Sequence, residues 1–137
     1  MPHADEPLVP LRPPFVDERG EILNLIEAVF ASAVVIRSVA GAVRAQHYHK
    51  TDYHYCWLQE GEMHYFQRPV GETGPAQRWR ISAGQVFFTP PMHEHAMVFT
   101  KDSVMLVFAR NSRQMERYEE DTVRVRIPGV PGEGTAP

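Results

Sequence analysis

The stretch Gly41-Ala-Val-Arg-Ala-Gln-His47-Tyr-His49-Lys-Thr-Asp-Tyr-His54-Tyr-Cys-Trp-Leu-Gln-Glu-Gly61 places three histidines within eight residues. His47 and His49 are two apart, so on a strand their side chains share one face. Lys50-Thr51-Asp52 is a polar stretch suited to a tight turn. A strand, this turn and a returning strand bring His54 back beside the first pair. A further histidine, His95, follows the turn signal Pro90-Pro91. Several imidazoles converging on one face is how proteins hold a transition metal.

The spacing resembles the first cupin motif: Gly, five residues, His-x-His, three or four residues, Glu, six residues, Gly. Here Gly41, His47, His49, His54 and Gly61 stand at those offsets, with histidine where the family usually has glutamate. The second cupin motif is Gly, five residues, Pro-x-Gly, two residues, His, three residues, Asn. Gly84, Pro90 and His95 match it, while Met92 replaces the glycine and Phe99 the asparagine. Two motifs in register are far more specific than one. The resemblance implies a double-stranded β-helix, the cupin jelly roll, with one divalent transition metal on His47, His49, His54 and His95.

Composition bounds the remaining possibilities. A chain of 137 residues predicts one domain. Hydrophobic residues make up 43% and charged residues 23%, which is ordinary for a globular protein. Net charge is −3, and no basic run suits nucleic acid or an anionic membrane surface. The single cysteine, Cys56, excludes an intrachain disulfide and fits a reducing compartment. No signal-like or membrane-spanning apolar run is present, so the expectation is a cytoplasmic protein.

Residues 1–14 contain five prolines and predict an extended arm, loose or lying along a sheet edge or a partner subunit. Residues 15–127 are read as the domain, and residues 128–137, with three glycines and no large aromatic, as a flexible tail. Between these ends the period is mostly two. Val34 to Val39, Cys56 to Leu58, Met63 to Phe66, Trp79 to Ile81, Val86 to Phe88, His95 to Phe99 and Val104 to Ala109 read as strands. Glu21 to Phe30 fits either strand or a helical stripe. Many short strands indicate an all-β sandwich or barrel.

A lone histidine is usually a packed or surface residue, and His3 and His64 are read so. His47, His49 and His95 together are different, because imidazoles buried on one face without a metal leave nitrogens unsatisfied. His54 sets the character of the site: imidazole in place of carboxylate favours Zn, Ni or Fe over Mn or Mg. Alternatively it stands behind the ligands, leaving three histidines and open positions. His93 and Arg44 are expected at the pocket opening, as an acid–base group and an anion contact; Glu94 shares the ambiguity of His93. Cys56 reads as a small buried apolar residue. Tyr48, Tyr53, Tyr55 and Trp57 alternate with the histidine positions and are expected to face away from the pocket. That aromatic row, with the sheet edges, predicts a homodimer that buries it.

A second resemblance concerns chemistry. Asp17-x-Arg19-Gly20 followed by Arg44-x-x-His47-x-His49-Lys50 is similar to cupins that isomerise or epimerise nucleotide-linked 4-keto-6-deoxy sugars. Those enzymes generally need no metal. The resemblance implies His47 or His49 as the base beside the ketone, with Arg44 and Lys50 as anion binders. A nitrogen committed to a metal cannot also take a substrate proton, so the two readings compete. The leading expectation is an enzyme that isomerises or epimerises a sugar or sugar nucleotide, with a small-molecule substrate and neither nucleic acid nor membrane as partner. The alternatives are a non-haem iron dioxygenase and a non-enzymatic small-molecule-binding or sensing cupin.

Overall fold

Strands form where apolar residues alternate, and their breaks fall at glycine and proline. The computed structural model describes residues 5–131. In chain order the elements are β1 (Leu8–Val9), β2 (Phe15–Asp17), β3 (Gly20–Ile22), β4 (Ser32–Ser38), β5 (Val43–His49), β6 (His54–Glu60) and β7 (Glu62–Pro69). They continue with β8 (Gln77–Ser82), β9 (Val86–Thr89), β10 (His93–Phe99), β11 (Ser103–Ala109), α1 (Met115–Asp121) and β12 (Thr122–Arg124).

Two five-stranded antiparallel sheets face one another, in the orders β1-β9-β6-β11-β4 and β12-β5-β10-β7-β8. This is the predicted all-β jelly roll. Between the sheets pack Leu58, Met63, Tyr65, Ile81, Phe87, Phe99 and Met105, each fully buried. The turn joining β6 to β7 needs Gly61, whose φ is +98° and whose missing Cβ would lie 2.0 Å from Ser103 Oγ.

Set against the sequence reading, the structure differs at some points and agrees at others. His47 and His49 lie on β5 in one sheet and His54 on β6 in the other, so residues 50–53 cross between sheets and do not close a hairpin. Part of the N-terminal arm lies along a sheet edge, one of the places expected for it, pairing Leu8 with Phe87 and Val9 with Val86. The helical stripe at residues 21–30 forms no helix; after β3 it runs as a loop across the outer face of the first sheet. There Leu25, Ile26 and Ala28 pack, with Tyr53 and Trp57, against the buried cluster of Tyr55, Val86 and Phe88. Within the chain Tyr55 is buried, while Tyr53 and Trp57 are half-buried. The outer face of the second sheet is covered by Val125, Ile127 and Val130, which belong to the segment read partly as a loose tail. Residues 1–4, including His3, and 132–137 lie outside the described residues.

Candidate functional site

A distortion in β5 builds the site. Opposite β10, His95 pairs with His47 but the next residue, Ala96, pairs with Ala45, which leaves Gln46 as an extra residue. Ala45 and Gln46 carry φ values of +70° and +55°. Such left-handed backbone in residues with a Cβ costs ~1–3 kcal/mol each and persists where the surroundings enforce it. Here the C-terminal segment does so. The Gln46 carbonyl accepts from Val125 N at 3.0 Å, and its Oε1 accepts from Ile127 N at 3.2 Å. Beyond the bulge, His47 and His49 both point into the barrel.

The second histidine segment has a counterpart of the same kind. Met92, standing where the second motif has glycine, adopts φ +58°. The substitution changes the side chain and keeps the backbone shape. Met92 N then donates to the His49 carbonyl at 2.8 Å, tying the turn before β10 to the end of β5.

One ring nitrogen from each of His47, His49 and His95 lies within 4.8 Å of the other two. Two of these imidazoles have a defined tautomer. Thr122 Oγ1 donates to the Tyr118 carbonyl at 2.6 Å, so at 3.2 Å from His49 Nδ1 it accepts that ring's proton. His95 Nδ1 donates to the His93 carbonyl at 3.1 Å. Both rings therefore keep Nε2 as a lone pair. His49 Nε2 is buried and has no hydrogen-bond partner among the described residues. Histidines that bind metals are held in this way, with one nitrogen donating outward and the other left for the ion.

His54 stands apart from this set. Its Nε2 donates to Asp52 Oδ2 at 2.9 Å, although its ring centroid is only 4.7 Å from that of His49. Asp52 is itself anchored, accepting from Asn111 N at 2.9 Å. Burial acts to raise the Asp52 pKa, but the hydrogen bond and charge of His54 hold it below the usual carboxylate value. The structure thus divides four histidines into a converging trio and a histidine–aspartate pair.

Burial keeps the trio neutral. Desolvation, reinforced by the neighbouring imidazoles, lowers the His47 pKa to about 2 and the His49 pKa to about 4. The same causes, burial first, hold His95 well below its ordinary value. Neutral imidazole is the form that ligates metals.

The cavity is lined by His47, His54 and His95 together with Arg44, Arg113 and Tyr118. Arg44 is thus at the expected place, its Nε donating to Ser38 Oγ at 2.8 Å. His93 is not: it lines a separate surface cavity with Arg68, Glu72 and Gln77, and its Nδ1 donates to the Pro91 carbonyl at 2.9 Å. The turn before β10 leads it away from the trio. Glu94 is buried and pairs with Arg68 at 2.6 Å. Lys50 is exposed. Cys56 is buried against the cavity floor, where desolvation pushes its thiol pKa up.

Tyr118 and Arg113 were absent from the sequence reading. Tyr118 sits on α1 with its ring 5.5 Å from that of His49, and the Arg113 guanidinium lies 4.6 Å from the centre of the tyrosine ring. No spacing rule ties a residue on a seven-residue helix to a motif on β5, 69 positions earlier by subtraction of 49 from 118. The helix is brought there by Asp121, which accepts from Thr51 N at 2.9 Å and Asp52 N at 3.1 Å.

No protein-family model and no curated protein sequence matches the chain. Solved structures do. A 3,4-ketoisomerase from Helicobacter canadensis is similar with a TM-score of 0.72 at 17% identity, over 89% of this chain and 92% of that one. The QdtA 3,4-ketoisomerase from Thermoanaerobacterium thermosaccharolyticum, in complex with TDP, gives 0.68 at 20% identity over 85% of each chain. The dTDP-4-dehydrorhamnose 3,5-epimerase from Elizabethkingia anophelis NUHP1 gives 0.65 at 19% identity, over 81% of this chain and 77% of that one. The fold of this chain is accordingly that of the cupin jelly roll, in the form its structural neighbours among the sugar-nucleotide ketoisomerases and epimerases share.

Proposed function

We propose that the protein is an isomerase or epimerase of a nucleotide-linked keto sugar, and that His47, His49 and His95 hold one divalent transition metal. The observation that carries this reading is the division of the histidines. A converging trio with free lone pairs and a separate His54–Asp52 pair remove the competition between metal and base for the same nitrogens. The activities of the structural neighbours supply the substrate class.

Moving a carbonyl along a sugar, or inverting the carbon beside it, starts with removal of a proton next to the ketone. His54 is the base in this reading. Asp52 fixes its Nε2–H, leaves Nδ1 as the proton acceptor, and stabilises the imidazolium that forms. Negative charge then develops on the ketone oxygen. Arg44 and Arg113 line the cavity and offer fixed positive charge to that oxygen or to the diphosphate. His47, His49 and His95 would hold the divalent ion, which would supply Lewis-acid polarisation of the same carbonyl. Tyr118 closes the cavity over the trio and restricts water.

The test uses TDP-4-keto-6-deoxyglucose, the ligand of another QdtA structure. Protein purified without chelator or histidine tag is analysed for metal and then incubated with the sugar nucleotide in deuterium oxide. The expected result is about one equivalent of Zn, Ni or Fe and deuterium at a carbon flanking the ketone. Absence of exchange with both as-purified and metal-supplemented protein overturns the activity. Absence of bound metal with exchange intact overturns the metal assignment alone.

A further inference from the structure

A chain of hydrogen bonds leaves the histidine cavity by a route that the proposed reaction does not use. Tyr65 on β7 is fully buried between the sheets. Its hydroxyl lies 2.7 Å from Gln67 Oε1 and 2.7 Å from Thr89 Oγ1. An amide oxygen only accepts, so the phenolic proton goes to Gln67. A phenol has one proton, so toward Thr89 the Tyr65 oxygen accepts. The Thr89 hydroxyl therefore donates its own single proton to Tyr65. Burial pushes the Tyr65 pKa up, which keeps the phenol protonated and the order of donors fixed.

Thr89 is the cavity end of this chain. It stands on β9 directly opposite His54 on β6. Residues opposed in this way hold their Cβ atoms ~4.5–5.5 Å apart. Cys56 and Phe87, two residues along on each strand, pack in the core between the sheets. The two-residue period turns His54 and Thr89 to that same inner face. With its proton committed to Tyr65, Thr89 Oγ1 offers the cavity lone pairs alone. It receives a hydroxyl and has nothing to donate to a carbonyl.

We propose that Thr89 accepts the hydroxyl on the carbon beside the substrate's ketone, with Tyr65 and Gln67 as the residues that position it. The inference rests on the reading of His54 as the base. That base takes its proton from a carbon beside the ketone. In a 4-keto-6-deoxy sugar one such carbon carries a hydroxyl and the other the ring oxygen and the methyl group. A hydroxyl on the reacting carbon lies beside His54 and so within reach of the residue opposite it. The substrate class narrows to a ketone with a neighbouring hydroxyl. An isomer in which that hydroxyl has become the ketone sets lone pairs against lone pairs, so the contact discriminates between the two sides of an isomerisation.

The test reads affinity apart from chemistry, by titration calorimetry with TDP-glucose and TDP-3-deoxyglucose. Neither has a ketone, so neither reacts. Wild-type protein is expected to bind TDP-glucose ~10- to 100-fold more tightly, the effect of leaving a buried acceptor unpaired. Thr89→Val keeps the side-chain shape and is expected to erase that preference, while Thr89→Ser keeps it. A residue that only supports the fold weakens both ligands equally. Equal affinity of the wild type for the two ligands overturns the proposal, and so does a preference that survives in Thr89→Val. Should Thr89→Val fail to fold, the wild type and Thr89→Ser decide, a preference in both upholding the proposal and its absence from either overturning it. Absence of deuterium exchange with the keto sugar leaves these affinities untouched, so the reaction and the hydroxyl contact fail separately. Binding of neither nucleotide overturns both.

Discussion

Asp52 is the residue on which the acid–base reading turns. Asp52→Asn keeps an acceptor for Asn111 N but presents an amide N–H₂ to His54 Nε2, which favours the other tautomer. Turnover of the keto sugar is expected to fall by ~10²–10⁴-fold, the usual contribution of a positioned base, while bound metal per chain stays unchanged. His49→Ala acts in the opposite place and is expected to abolish bound metal by elemental analysis. If Asp52→Asn loses metal as well, the separation of the two histidine groups is wrong. These residues were legible to different degrees. His47, His49 and His95 are named by spacing alone, because a two-residue period fixes which face they share. The partner of His54 was not named. Asp52 read as a turn residue, and only the crossing between sheets turns its carboxylate back onto the ring. His93 shares the parity of His95, yet the turn before β10 delivers it to another cavity.

Strands and turns follow their local sequence closely. The β6–β7 turn is the clearest instance, and Gly61→Ala tests it. An added Cβ meets Ser103 Oγ at 2.0 Å and the Asp102 carbonyl at 2.6 Å, at a φ that side chains disfavour. The expected loss is at least ~2 kcal/mol of stability by urea denaturation, from strain and the displaced turn together. A loss below ~0.5 kcal/mol means the turn relaxes freely. The seven longer strands from β4 to β11, apart from the histidine strand read by spacing, show in β-branched and aromatic runs. The short elements do not. α1 has no side-chain cap at Gln114 and no basic residue in its last turn. Its place is fixed by Asp121 and Tyr118, which are tertiary contacts that no local pattern encodes. The hairpin β2–β3 is three residues a side, too short for alternation to register.

Across the whole molecule, the buried trio makes stability depend on pH. His47 and His49 have folded pKa values depressed from 6.5 to about 2 and about 4, so below 6.5 the unfolded chain binds more protons than the folded one. Their contribution is complete above pH 6.5 and is lost as pH falls toward those values. His95 acts in the same direction. Each histidine adds up to ~1.4 kcal/mol per pH unit to the slope. Urea midpoints of chelator-treated protein are therefore expected to fall steadily from pH 7 to pH 5, and a flat profile contradicts neutral burial of the trio. The jelly roll itself was legible because two motifs and many short strands agree. The covering of its outer faces was not, because proline-rich and glycine-rich ends read as loose when their few apolar residues are scattered. The C-terminal covering has a practical consequence. Trimming the gene to its regular strands, by a stop codon after Arg124, removes no residue that lines the cavity. It does remove the donors from Val125 and Ile127 that hold the strained bulge at Gln46, one residue before His47. A shortened protein of this kind is expected to bind its metal ~10–100-fold more weakly in chelator competition, the effect of losing an outer support of a ligand.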